Sequence, residues 1–174
     1  MRRLILLRHA KSDRPPGMRD LDRPLNKRGR RAAPAVGARI AGEGLRPDLA
    51  LVSPSQRTRE TWAAVKGALG APREETVPEI YEAAAADILN AVRAAPDEAG
   101  TLIVVGHNPG LGDLAAALVG EGPRGLRALL ASEFPTAAFA VIAFEAATWA
   151  AVRPGQGRLE HYVRPRDIDG DLAG

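Results

Sequence analysis

There is no cysteine among the 174 residues. That excludes disulfides, thiolate metal sites and a cysteine nucleophile. Aromatic residues make up only 4% of the chain, too few for a broad platform on which nucleic-acid bases could stack. Lysine is scarce too, so that 21 arginines and 3 lysines carry the basic charge. No apolar run approaches the roughly 18 residues that a membrane span requires. The stretch Leu4–Leu7 is short for the core of a signal peptide, and Arg8-His9 closes it at once. A soluble cytoplasmic protein without a membrane partner is the expectation. What is present fits a globular chain, since 45% hydrophobic and 26% charged residues lie near the average. The length suffices for one domain with its own core, and a single domain over residues 1–174 is expected.

The net charge of +3 conceals an uneven spread. Residues 1–66 carry 16 Lys+Arg against 6 Asp+Glu, whereas residues 67–174 carry 8 against 15. A basic first third points to an anionic partner if those side chains converge in space. Nucleic acid and a phosphorylated substrate both answer to that description, and the scarcity of aromatics weighs against the first. Any one of these arginines, taken alone, reads as solvated surface.

Leu4–Leu7 and Leu49–Val52 read as buried strands, and Thr101–Val105, apolar and β-branched, is the clearest strand of the chain. Residues 13–24, with three Pro, one Gly and six Asp or Arg, read as a loop. Asn26 is placed to cap a helix running to about Ile40, with Pro34 predicting a kink or a late start, and Gly42 and Gly44 ending it. A second helix is predicted from Ser55 to Leu69, with Trp62, Val65 and Leu69 inward, and Val77–Ile80 reads as a short extended piece. Asp87 opens a third helix. Asn108 as cap and Pro109 at the first helical position start a fourth, and Leu126–Leu130 is a short fifth. Ala138–Phe144 and Thr148–Val152 read as a hairpin, Arg158–Val163 as a last strand, and the tail from Pro165 as irregular. Strands alternating with helices predict an α/β class with a mostly parallel sheet.

Three segments set polar residues just past the ends of apolar strands, where open α/β sheets hold ligands. They are Arg8-His9-Ala10-Lys11-Ser12, then Ser53-Pro54-Ser55-Gln56-Arg57-Thr58-Arg59-Glu60-Thr61, then Gly106-His107-Asn108-Pro109-Gly110. Together they offer two histidines, at least two arginines and two helix starts. A phosphoryl dianion is matched by guanidinium forks and by backbone N–H groups at helix starts, and a histidine beside it can act as nucleophile. A lone histidine after a strand is more often structural; the recurrence of the pattern after three strands is what gives it weight.

These segments resemble the histidine phosphatase superfamily, and within it the phosphohistidine phosphatases of SixA type. The Arg-His-Gly signature of the superfamily stands here as Arg8-His9-Ala10, an exchange familiar in that branch. Asp22-Arg23-Pro24-Leu25 with Lys27-Arg28-Gly29, Ser53-Pro54 with Arg57 and Thr61, Val105-Gly106-His107-Asn108-Pro109, and Arg164-Pro165-Arg166-Asp167 match further stretches of it. The resemblance implies a three-layer sandwich like that of phosphoglycerate mutase, with a minimal lid. It implies that His9 accepts the phosphoryl group on a free ring nitrogen, its other N–H held by a backbone carbonyl. Arg8 and Arg57 would clamp the phosphoryl oxygens, His107 would donate to them, and no metal or cofactor would be needed. Glu82, in Ile80-Tyr81-Glu82, stands where the superfamily often places a general acid; Glu79 and Asp87 are the alternatives, and some relatives lack a clear acid.

Lys11 and Ser12 are candidates to reach the substrate, Asp20 and Asp22 to pair with arginines and order their loop. His161 lacks convergent partners, and Trp62 has core spacing. Three readings follow: a metal-independent phosphatase acting through phosphohistidine on a phosphorylated protein, a phosphomonoesterase for a small phosphorylated metabolite, or a basic nucleic-acid-binding module without catalysis. The first two exclude nucleic acid as partner.

Overall fold

The computed structural model describes residues 1–172; Ala173 and Gly174, the end of the predicted tail, lie outside the described residues. Among the described residues there are seven strands: β1 (Arg2–Arg8), β2 (Leu49–Val52), β3 (Arg73–Thr76), β4 (Thr101–Gly106), β5 (Val119–Glu121), β6 (Phe139–Phe144) and β7 (Gly157–Val163). They form one sheet in the order β3-β2-β4-β1-β6-β7-β5. All pairs are parallel except β1–β6 and β6–β7. The helices are α1 (Lys27–Gly42), α2 (Gln56–Val65), α3 (Ala85–Arg93), α4 (Gly110–Leu118), α5 (Arg124–Ser132) and α6 (Pro165–Ile168).

The strand period of two divides the core into two apolar layers. Leu4, Leu6, Leu49, Leu51, Leu102 and Val104 face one layer, covered by α3, α4 and α5. Ile5, Leu7, Ala50, Val52, Ile103 and Val105 face the other, covered by α1 and α2. This is the three-layer α/β sandwich, mostly parallel, that the resemblance implies. Because β1, β2 and β4 are buried on both faces, they read as continuous apolar runs rather than alternating ones.

Several sequence expectations are corrected. Pro34 does not delay the start of α1, which begins at Lys27; it lies on the exposed side, where water can reach the Arg30 carbonyl that its missing N–H leaves unpaired. The extended piece is not Val77–Ile80 but Arg73–Thr76, an exposed edge strand without an apolar pattern, while Pro78–Ile80 is a 3-10 turn. Thr148–Val152 is no hairpin strand. Trp149 sits there in a 3-10 turn, its backbone N–H on Asp97 and its indole N–H on the Ala99 carbonyl, and β7 takes the place beside β6. The described part of the tail is ordered: Arg164 and Asp167 cap α6. In α4, Pro109 is the cap position rather than the first helical residue, with the Asn108 side chain accepting from the Gly112 N–H at 3.1 Å.

Two glycines position the loops. A Cβ on Gly29 would stand 2.1 Å from the Lys11 carbonyl, so only glycine lets α1 abut the loop after β1. A Cβ on Gly110 would stand 2.0 Å from the Ala83 carbonyl, so α4 begins directly against the segment carrying Glu82.

Candidate active site

β1, β2 and β4 are parallel neighbours, so their C-terminal ends deliver three polar segments to one edge of the sheet. The His9 backbone is fixed on both sides, its N–H on the Gly106 carbonyl at 3.1 Å and its carbonyl accepting from Ala137 at 3.0 Å. Its ring nitrogen Nδ1 lies 2.7 Å from the Ala10 carbonyl. A carbonyl can only accept, so Nδ1 carries the proton and Nε2 keeps its lone pair. Ala10 N–H in turn donates to Thr61 Oγ1, whose hydroxyl donates to the Arg57 carbonyl. One hydroxyl thereby ties the loop after β1 to the first turns of α2, which accounts for Thr61 in the motif.

Ser55 caps α2, and Arg57 projects from its first turn, wholly buried. Arg57 donates through Nη1 to the Asp20 carbonyl at 2.8 Å, and through Nη2 to Asp20 Oδ2 at 3.0 Å and Glu82 Oε1 at 2.5 Å. The same nitrogen lies 3.3 Å from His107 Nδ1. On its other side His107 places Nε2 2.7 Å from Ser53 Oγ. Arg8 donates to the Phe134 carbonyl at 3.0 Å, an acceptor it shares with the Asn108 side-chain amide. The rings of His9 and His107 are 5.4 Å apart between centroids.

The electrostatics follow from burial. Desolvation lowers the His9 pKa to about 3, against an opposing hydrogen bond to Ala10. Desolvation and then the Arg57 charge lower His107 to about 4. Both rings are neutral near neutral pH. Burial, followed by the neighbouring Arg57 charge, lowers the Arg8 pKa. Two like-charged guanidinium groups are thus held together, a site that favours an anion between them. Nε of each is buried without a hydrogen-bond partner, which leaves donor capacity unspent.

The site therefore brings together all five residues singled out from the sequence: Arg8, His9, Arg57, Glu82 and His107. Glu79 and Asp87, the alternative acids, line a different cleft beside Leu51 and Val77. Among the described residues no group of His, Asp or Glu is arranged to hold a metal ion. Lys11 lines a neighbouring cavity, and Ser12 Oγ accepts from Arg23 at 2.6 Å. His161 stands apart, 3.7 Å from Glu43, and Trp62 is core, its indole N–H on Glu74.

Asp20 and Tyr81 were not legible as site residues. Asp22 pairs with Arg19 in the loop as its position suggests, but Asp20 reaches into the site. It accepts from Arg57, from Arg23 at 2.9 Å and from the Tyr81 hydroxyl. Burial pushes the Asp20 pKa up, but these hydrogen bonds outweigh it and hold the carboxyl well below the usual range. The Tyr81 pKa is raised, by burial and by its bond to Asp20, and its ring meets that of His107 edge-on at 5.5 Å.

The chain matches the model of the histidine phosphatase superfamily (branch 1) over residues 4–87. It is similar to SixA of Nakamurella multipartitia, provisionally assigned as a phosphohistidine phosphatase: 31% identity, 94% of this chain and 96% of that one covered, TM-score 0.82. SixA of Agrobacterium tumefaciens, with the same provisional assignment, shows 32% identity, covers 94% and 98%, and gives a TM-score of 0.80. An uncharacterised protein of Mycobacterium tuberculosis is 33% identical over 92% of this chain and its own whole length. No helix among the described residues is long and apolar enough to cross a membrane. With sequence relatives and fold in agreement, the chain belongs to the histidine phosphatase superfamily, in its SixA-type branch, and is a phosphatase of that superfamily.

Proposed function

We propose that this phosphatase passes the phosphoryl group first to His9 and then to water, without a metal ion. The observation that carries the reading is the His9 Nδ1–Ala10 carbonyl bond of 2.7 Å, which reserves the Nε2 lone pair for attack. In the first step a bond forms between His9 Nε2 and phosphorus while the bond to the leaving group breaks. Arg8, Arg57 and His107 take the charge on the three non-bridging oxygens. Glu82, released from Arg57 by the arriving dianion, takes up a proton from solvent and gives it to the leaving atom. In the second step water attacks phosphorus, returns its proton to Glu82, and restores neutral His9 and inorganic phosphate.

Protein phosphohistidine is the substrate class favoured here, supported by the SixA relatives. A small phosphate ester is the second reading, favoured by Glu82 Oε1 lying 3.5 Å from His107 Nδ1, where a leaving alkoxide could take a proton. Departing imidazole, with a conjugate-acid pKa near about 6.5, needs that proton far less.

Brief incubation with labelled substrate and an alkaline quench tests the scheme. The parent chain is expected to hold acid-labile label on His9, and His9→Ala none. Label on His107 or on a serine overturns the assignment, and failure to turn over an aryl phosphate would favour the non-catalytic nucleic-acid module. Glu82→Gln is expected to slow alkyl phosphates much more than aryl phosphate or phosphohistidine; a uniform loss would assign Glu82 to holding the pocket together.

A further inference from the structure

We propose, resting on the phosphatase reading above, that the substrate carries a second anionic group and that a cationic cavity beside Arg8 receives it. The cavity, of about 300 Å³, is lined by Arg8, Lys11, Arg28, Arg164 and Arg166 over a small apolar floor that includes Ala32 and Ala137. That volume lies at the lower end of ligand-sized pockets, roughly 300–1,000 Å³. Its position follows from topology. β6 is antiparallel to both β1 and β7, so β7 again runs in the direction of β1. The exit of β7 therefore brings Arg164 and Arg166 to the edge where β1 presents Arg8 and Lys11, and the first turn of α1 adds Arg28.

Arg8 belongs to both places, as a candidate clamp in the phosphoryl site and as a wall of the cavity. Asp20 and Glu82 are paired with Arg57 in the phosphoryl site, and neither lines the cavity. An anionic portion of the substrate is drawn to the cations that line the cavity. The boundary is firm. Ala137 holds a left-handed backbone conformation, φ +62°, and its N–H is bonded to the His9 carbonyl. The cations already hold partners: Arg164 bonds Glu133 at 2.7 Å and Asp167 at 2.9 Å, and Arg166 lies 3.7 Å from Glu133. An arriving anion joins or exchanges with such partners, as at Arg57.

The test uses the full chain and compares phenyl phosphate with the three carboxyphenyl phosphates. The parent is expected to favour the best carboxyphenyl isomer by about tenfold in kcat/KM at low salt, the scale of one charge-assisted contact, with the preference shrinking as salt rises. The double variant Arg28→Ala/Arg166→Ala leaves the phosphoryl site intact. It is expected to lose most of that preference through a higher KM, while phenyl phosphate stays within about twofold of the parent, the usual scatter for distant surface changes. A parallel pair of phosphohistidine peptides, one with Asp beside the modified residue and one with Ala, separates the sources. Preference only among peptides assigns the group to an acidic protein flank, and preference only among aryl esters to a small metabolite. Absence of preference in both series, or equal losses on both members of a pair in the variant, overturns the proposal. If the parent hydrolyses no substrate and takes no label on His9, the phosphatase mechanism falls, and this proposal with it.

Discussion

Arg2 and Arg57 are both buried, 8% and 1% exposed, at opposite edges of the same sheet. Arg2, at the start of β1, gives its Nη groups to the carbonyls of Asp97, Ala99 and Ala147 and lies over the Trp149 ring at 5.4 Å. Those acceptors belong to the backbone and cannot leave, while the Asp97 carboxylate stands farther off at 3.7 Å. Arg57, beyond the end of β2, is held by one carbonyl and two carboxylates, with His107 Nδ1 3.3 Å away. Its carboxylates, on Asp20 and Glu82, are 44% and 47% exposed, so they can return to water at small cost. A buried cation needs partners in either place. Close backbone partners make it a structural tie, and replaceable charged partners at hydrogen-bond distance keep a place ready for an incoming anion.

The largest expected effect that tests this contrast is Arg57→Lys. An ammonium keeps the charge but loses the planar fork. Loss of one transition-state donor costs roughly 3–4 kcal/mol, or two to three decades in kcat, with thermal stability little changed. Near-parental turnover would place Arg57 outside the phosphoryl site. Next comes Arg2→Met, which takes a charged donor from the part-buried Asp97 and Ala147 carbonyls, at about 1.5–3 kcal/mol each. A fall in Tm of roughly 5–15 °C is expected, with kcat per folded molecule unchanged. Thermal melts and active-site titration check it, and a kinetic defect without a melting shift would break the contrast.

A smaller effect is expected of Asp20→Asn, which weakens the competitor already on Arg57. Orthovanadate should bind about two- to fivefold tighter, the worth of one half-exposed ion pair. Weaker inhibition would mean that Asp20 positions Arg57 for binding rather than competing with the anion. The smallest effect concerns the two buried rings near neutral pH. With pKa values of about 3 for His9 and about 4 for His107, the unfolded chain binds more protons than the folded one between those values and the free imidazole value near 6.5. Stability therefore rises with pH through that window and is lost as pH falls from about 6.5 toward 3. Ring ¹⁵N shifts of both histidines should stay flat from about pH 5.5 to 8, and the urea midpoint should be lower at pH 4 than at pH 7. A titration near pH 6.5 in either ring would contradict its burial.

Much of this architecture was legible because its signals are local. Leu49–Val52 is apolar throughout and bounded by turn residues, and it is a strand over that same span. Asn26 and Ser55 stand directly before helical periodicity and cap α1 and α2 with their side chains. The errors fell where tertiary pairing overrode or replaced local pattern. Arg73–Thr76 has no buried residue and becomes a strand only because β2 offers it an edge. Thr148–Val152 has strand-like residues but is captured by Asp97 and Ala99 through Trp149.

The same division holds at the site. The sequence by itself determined which strands carry polar residues at their C-terminal ends, and so that His9, Arg57 and His107 meet at one edge once the strands are parallel. That follows from periodicity and chain direction, which are properties of short segments. Only the tertiary structure decided that Asp20 closes on Arg57, 37 residues away along the chain, that Tyr81 donates to Asp20, and that both histidines are held neutral. Loop placement, desolvation and the exchange of one ionic partner for another depend on what surrounds a group in space, and no short stretch of sequence encodes its surroundings.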